Sequence, residues 1–264
     1  SSVISTNGNG SGLQVDHGVV IVATGADSYK PSEHMYGEND RVLTSEDLED
    51  QRAANMFEAG SVAFIQCVGS RNAERPYCSR MCCAETIKHA LQLKERRPDT
   101  NVYVLYRDMR SYGFRESYYT KARMQGVVFL RFADDAPPAV TSHEGRLLVN
   151  MHDVIIGEDV NLIVDNVVLA AATIPREDNK ILAQMLKVPL TEDGFFLEAH
   201  RKLRPVDFAT DGIFLCGNAH SPLGIAETAA QALAAAARAA TILSKTQIEL
   251  EPMISHVVEE NCDG

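Results

Sequence analysis

The chain has 264 residues, with 36 acidic against 25 basic side chains and a formal net charge of −11. That length allows two modest domains or one large one, and an acidic chain without a basic stripe is excluded as a general nucleic-acid binder. No apolar run reaches the length of a membrane span and no signal peptide is visible at the start. Clustered cysteines without a secretion signal fit a reducing compartment, so a cytoplasmic location is expected.

Residues 1–16 are polar and glycine-rich, with Asn7-Gly8-Asn9-Gly10 reading as the turn of a β-meander. His17-Gly-Val-Val-Ile-Val-Ala-Thr-Gly25 follows as a buried strand. It ends in small residues, Ala23, Thr24 and Gly25, where a backbone could come close to a ligand. Residues 26–60 read as a connector, broken by Pro31 and Gly37, with a short helix capped by Thr44 or Ser45.

A short apolar run at 62–66 has the character of a buried parallel strand, and residues 84–95 have helical spacing with Ile87, Ala90 and Leu91 on one stripe. Between them lie four of the six cysteines, Cys67, Cys78, Cys82 and Cys83, at a spacing C-x10-C-x3-C-C. Ligands bind at such carboxyl ends of strands in open α/β sheets. A nucleotide site would put G-x-G-x-x-G in this turn, and only Gly69 is present, which argues against nicotinamide binding here.

Three readings of the cysteines compete. An iron–sulfur cluster needs four converging thiolates, and Arg71, Arg75, Arg80 and Lys88 would offset its negative charge. Adjacent cysteines on a regular helix point about 100° apart, so Cys82 and Cys83 could share a cluster only at an irregular helix start. A structural zinc site ordinarily uses C-x2-C pairs, which are missing. Buried free thiols or a redox pair are the third reading.

Downstream, strands are expected at 101–106, 126–132 and 165–172, a helix at 115–125, and a hairpin at 140–153 around His143-Glu-Gly145. This order of strands and helices followed by a meander matches a pyridine-nucleotide domain with the nucleotide loop replaced by cysteines. A short helix at 180–186 and a short strand at 194–198 follow. A strand over 210–218 then ends in Gly217-Asn218, ahead of a long alanine-rich helix from Ile225 to about residue 244. The histidines are scattered with no metal-ligand spacing on one helix. His220 is the one to watch because it follows Gly217-Asn218. No Ser-His-Asp or paired-carboxylate arrangement exists, so no catalytic residue is assigned.

Phe64-Ile-Gln-Cys-Val-Gly-Ser-Arg71, Tyr77-Cys-Ser-Arg-Met-Cys-Cys83 and Leu105-Tyr-Arg-Asp-Met-Arg-Ser-Tyr-Gly-Phe-Arg115 closely resemble the A-type flavoprotein subunit of heterodisulfide reductase. They also resemble its relatives in the quinone-interacting membrane-bound oxidoreductase complex of sulfate reducers. The resemblance covers essentially the whole chain. It implies an α/β fold of two Rossmann-like lobes, of the thioredoxin-reductase type with two dinucleotide-binding domains. The FAD lobe would be discontinuous, 1–58 and 174–246, and incomplete. The lobe at 59–173 would be inserted and carry the cysteines, and 247–264 would lead toward a ferredoxin domain.

The resemblance further implies that Cys67, Cys78, Cys82 and Cys83 ligate one 4Fe–4S cluster. Ala23, Thr24, Gly25, Gly217, Asn218 and Ile225 would line FAD, and other subunits of an electron-transfer complex would be the partners. Asn218 departs from the family-type aspartate and brings no charge. No G-x-G-x-x-G precedes the first strand, and Cys262 resembles the first ligand of a ferredoxin motif whose remainder is missing. The chain is therefore expected to be an inactive fragment that holds FAD weakly or not at all. The competing expectation is a cofactor-free or zinc-binding assembly scaffold. A pyridine-nucleotide disulfide reductase would need a glycine loop and a C-x2-C pair, and neither exists.

Overall fold

A computed structural model describes residues 2–5 and 12–247. The expected turn at Asn7-Gly8-Asn9-Gly10, Cys262 and the tail from 248 lie outside the described residues. The strands Ser2–Ser5 and Gly12–Val15, which flank that turn, pair antiparallel.

The centre of the larger lobe is a five-stranded parallel sheet. Its order is Val42–Thr44, Asn166–Ala171, Ser61–Val68, Asn101–Tyr106, Val128–Arg131. All eight residues of Ser61–Val68 are buried, because both of its faces are covered. Side chains alternate across a strand. Val62 and Phe64 face a core shared with Ile87, Ala90 and Leu91 of the helix Cys82–Arg96 and with Ala122 of the helix Glu116–Met124. Ala63 and Ile65 face a second core with Leu147, Val149 and Met151. Those three come from the middle strand of an antiparallel sheet ordered Glu158–Val164, Arg146–Asp153, Ala139–His143.

Two expectations change. The connector contributes the edge strand Val42–Thr44, ahead of the lobe start expected at 59, because Asn166–Ala171 leaves an open edge for it to pair. The strand expected at 194–198 is reduced to an isolated bridge between Leu190 and Phe196, since no second neighbour extends the ladder.

The smaller lobe pairs Val20–Val22 in parallel with Ile213–Leu215. Against them the helix Ile225–Leu243 buries Ala235 and Ala239 beside Phe214 and Val206. Small side chains let this helix approach closely. Its other side stays open: Ile225 is 83% and Leu233 73% exposed. The chain passes between lobes through Asp27–Ser28 and Thr173–Ile174, which pair antiparallel.

Candidate functional site

The strand Ser61–Val68 delivers Cys67 at its carboxyl end, and the backbone there turns sharply. Cys67, Gly69 and Arg71 have φ values of 63°, 75° and 56°, and Arg80 has 61°. Non-glycine residues take this left-handed region at a cost of about 1–2 kcal/mol, so the surroundings must hold them. At Gly69 the requirement is steric as well, since an added Cβ would lie 2.2 Å from the Tyr29 ring. The Arg75 guanidinium stacks over that ring at 4.5 Å and donates to Gly69 O at 2.5 Å. Further along the loop, Tyr77 Oη donates to Thr173 O and Ser79 Oγ accepts from Thr173 N–H at 2.9 Å. These bonds fix the segment that carries Cys78.

The helix starts at Cys82, two residues before the expected start, so both adjacent cysteines lie in its first turn and are buried. No side chain caps its N-terminus. Beneath them Gln66 Nε2 donates to Thr86 Oγ1 at 2.6 Å, locking strand to helix. The hydrogen bond from Cys82, outweighing burial, lowers the Cys83 thiol to about 7, with help from the Arg110 backbone and the charges of Arg110 and Arg71. Cys82 is pushed well up by its bond to Cys83, by burial, and by the charges of Cys83, Cys67 and Cys78. Burial, then Cys83, raises Cys67 against the pull of Arg71 and Arg107. Cys78, half-buried, accepts from Arg80 N–H at 3.3 Å. All four thiols thus share one electrostatic neighbourhood. Deprotonating them together is costly unless a cation takes the place of the protons.

The donor set suits a polynuclear centre. Four sulfurs converge on one strand-to-helix junction. Arg71 Nη1 and Arg107 Nε are buried without hydrogen-bond partners, Arg107 Nε lying 3.7 Å from Asp134 Oδ1, and both guanidinium charges act on Cys67, as they would on sulfide or thiolate charge. Among the described residues no three of these sulfurs lie mutually within 4.8 Å. A single tetrahedral zinc would draw its sulfurs to roughly 3.8 Å, given Zn–S bonds of about 2.3 Å.

The flavin-side residues emerge next to one another because Val22 is paired with Leu215. Ala23 and Thr24 are exposed, and Gly25 has φ 75° with open space at its Cβ position. Gly217, with φ 69°, is buried. Small residues at two paired strand ends suit close approach by a dinucleotide. Asn218 Oδ1 accepts from Leu223 N–H at 2.8 Å, bracing the turn into the long helix. Ile225 stands exposed in that helix's first turn.

The cysteine loop and this turn are tied together. Arg80 pairs with Glu227, donates to Pro222 O at 3.4 Å, and Glu227 in turn accepts from Gly224 N–H at 3.0 Å. A cleft of about 500 Å³ opens there, lined by Tyr77, Cys78, Arg80, Phe195, His220 and Leu223 among others. Sequence reasoning missed Glu198 and Gln231, which hold His220; Arg107 and Arg110, whose charges act on Cys67 and Cys83, lie within the stretch 105–115 that the sequence singled out. Only His220's position after Gly217-Asn218 hinted at the first group.

No family model matches the chain. Among curated proteins, it is 39% identical over 271 residues to an A-type iron-sulfur subunit of the CoB–CoM heterodisulfide reductase of Methanopyrus kandleri. It is 38% identical over 274 residues to the corresponding subunit of Methanocaldococcus jannaschii. Each match covers 96% of this chain. The chain is a relative of the A-type subunit of heterodisulfide reductase. It spans 41% of the length of those two proteins. An Archaeoglobus profundus protein named for its likeness to the same heterodisulfide reductase subunit is 38% identical over 77% of the chain.

Solved structures show the same fold at low identity. Thermoplasma acidophilum thioredoxin reductase, 15% identical, superposes with a TM-score of 0.58 over 92% of this chain and 73% of its own. The Lactococcus lactis enzyme, 17% identical, gives 0.54 over 86% of this chain and 67% of its own. The two-lobed α/β architecture expected for a relative of this heterodisulfide reductase subunit is therefore the one present.

Proposed function

We propose that this chain is an electron-carrying segment of a heterodisulfide reductase-like oxidoreductase, passing electrons between FAD and a 4Fe–4S cluster. Cys67, Cys78, Cys82 and Cys83 would hold the cluster. Ala23, Thr24, Gly25, Gly217, Asn218 and Ile225 would border the flavin, with Asn218 also bracing the turn beside it. When bound, the two groups supply the redox chemistry, the flavin handling electron pairs and the cluster single electrons. The chain's part is to hold the carriers close and set their potentials. Arg71 and Arg107 would stabilise the cluster's negative charge, and the Arg80–Glu227 contact would fix the two sites relative to each other. The observation that carries this reading is that Cys78 and the turn after Gly217 border one cleft.

Other subunits of such a complex would be the partners, in the cytoplasm. Among the described residues no helix is long and apolar enough to cross a membrane. Electron paramagnetic resonance of the dithionite-reduced, anaerobically purified protein tests the proposal. A cluster signal that disappears in Cys83→Ser supports it, and a silent spectrum after anaerobic reconstitution contradicts it.

A further inference from the structure

In the cleft that Cys78 also lines, three polar side chains form a continuous chain that ends on a backbone amide. Gly217 N–H donates to Gln231 Oε1 at 3.0 Å. Gln231 Nε2 lies 2.9 Å from His220 Nδ1, and His220 Nε2 lies 2.9 Å from Glu198 Oε2. The donors fix the direction of every bond. A backbone N–H only donates, so Gln231 must present its oxygen to Gly217 and its NH2 to His220. His220 Nδ1 therefore accepts, and Nε2–H donates to Glu198. The imidazole is held neutral, in one tautomer, against a carboxylate.

That carboxylate is unusually committed. The Glu198 side chain is only 5% exposed. Burial pushes its carboxyl up, but the bond to His220, its own backbone N–H and the positive charges of protonated His220 and of Arg201 outweigh burial and hold it below the ordinary range. Arg201 is 91% exposed and 3.6 Å away, a weak counter-charge. The charged and titratable groups lining the cleft besides His220 are Glu198, Arg201, Asp193, Tyr77, Cys78 and Arg80.

Resting on the FAD reading above, we propose that His220 takes up a proton when the flavin beside it is reduced, and that Gln231 transmits this change to Gly217. Electrons arrive through the iron–sulfur centre. The proton comes from solvent through the open cleft and forms one new bond, Nδ1–H, giving an imidazolium paired with Glu198. Nδ1 then donates, so the Gln231 amide must turn over to present Oε1 to it. Turning over removes the acceptor from Gly217 N–H. That amide, next to the proposed flavin-bordering residues, is released to donate to negative charge on the cofactor. Proton uptake and an extra donor thus arrive together, when the bound group gains negative charge.

Two measurements test this. In the holoprotein carrying its flavin, spectroelectrochemical titration at several pH values counts protons taken up per two electrons. The wild type is expected to take up one more proton than His220→Gln, which keeps a polar side chain but does not titrate, and Glu198→Gln is expected to lose that proton at lower pH than the wild type does. Equal proton counts in wild type and His220→Gln, with flavin bound in both, overturn the proposal. A holoprotein without flavin absorbance overturns the FAD reading itself, and this inference with it. In the chain free of flavin, nuclear magnetic resonance reads the coupling directly. The Gly217 amide shift is expected to follow the His220 ring with a common midpoint, and to stop following it in Gln231→Met. A Gly217 amide indifferent to His220 titration overturns the coupling.

Discussion

Arg80, in the loop between Cys78 and Cys82, forms an ion pair with Glu227 in the first turn of the long C-terminal helix. Arg80 holds a left-handed backbone, φ 61°, while its guanidinium reaches both Glu227 and Pro222 O. One side chain therefore connects the thiol loop to the turn that follows Gly217. Both partners are about one-third exposed, so the contact is screened and its value is geometric more than energetic.

The first prediction follows from that exposure. A double-mutant cycle of Arg80→Ala and Glu227→Ala in urea should return a coupling of about 0.5–1 kcal/mol. A coupling several times larger would mean that the pair is desolvated, contrary to its exposure here.

Gly69 should tolerate no side chain. Gly69→Ala meets the Tyr29 ring at 2.2 Å and forces alanine into φ 75°. Overpacking and backbone strain together should cost about 2–4 kcal/mol in chemical unfolding. Adding Tyr29→Ala should recover the steric part and leave about 1–2 kcal/mol of strain. An unchanged unfolding midpoint in the single variant would contradict the tight turn that positions Cys67.

Acid should weaken the sheet through Asp165. Its carboxylate accepts from the N–H groups of Gly60 and Ser61 at 2.8 Å and pairs with Arg146 at 3.0 Å, tying the start of the central strand to its neighbour. Burial pushes its carboxyl up, but the Ser61 and Gly60 donors and Arg146 together hold it below the ordinary value of 3.8. A depressed folded-state value gives stability that is present above about pH 4. That stability is lost as pH falls through the lowered value. Stability measured from pH 6 down to pH 2 should therefore fall less steeply in Asp165→Asn than in the wild type. Identical acid limbs would contradict the assignment.

Flavin binding by the chain alone should be weak. Among the described residues the smaller lobe has two parallel strands, Val20–Val22 and Ile213–Leu215, and the helix behind them exposes Ile225 and Leu233. With that face open, a dinucleotide would have little to close over it. FAD added at equimolar concentration should stay fluorescent and pass a desalting column separately. Stoichiometric retention would show that the described residues suffice.

The strand, cysteine loop and helix were legible in the sequence because they are local. An apolar run with both faces covered, then a turn rich in thiols, then a 3.6-residue stripe, all fall within one stretch. Two features were not. Val42–Thr44 has too few residues to show a periodicity, and its strand character comes from pairing with Val167–Leu169 far along the chain. Glu198, His220 and Gln231 belong to a bridge-bearing loop, a short turn and a long helix. Only folding brings them together, and no spacing rule announces it. Asn218 was legible as a position at the end of its strand, and its bond to Leu223 was not, since only the folded turn brings that N–H to it.

The central claim is that four thiols at this junction hold a polynuclear iron–sulfur centre. Iron and acid-labile sulfide, measured on anaerobically purified protein, test it most directly. About four irons and four sulfides per chain, lost in Cys78→Ala, are the predicted result. Protein that reconstitutes under reducing conditions without iron, holding zinc or four free thiols in its place, would contradict it.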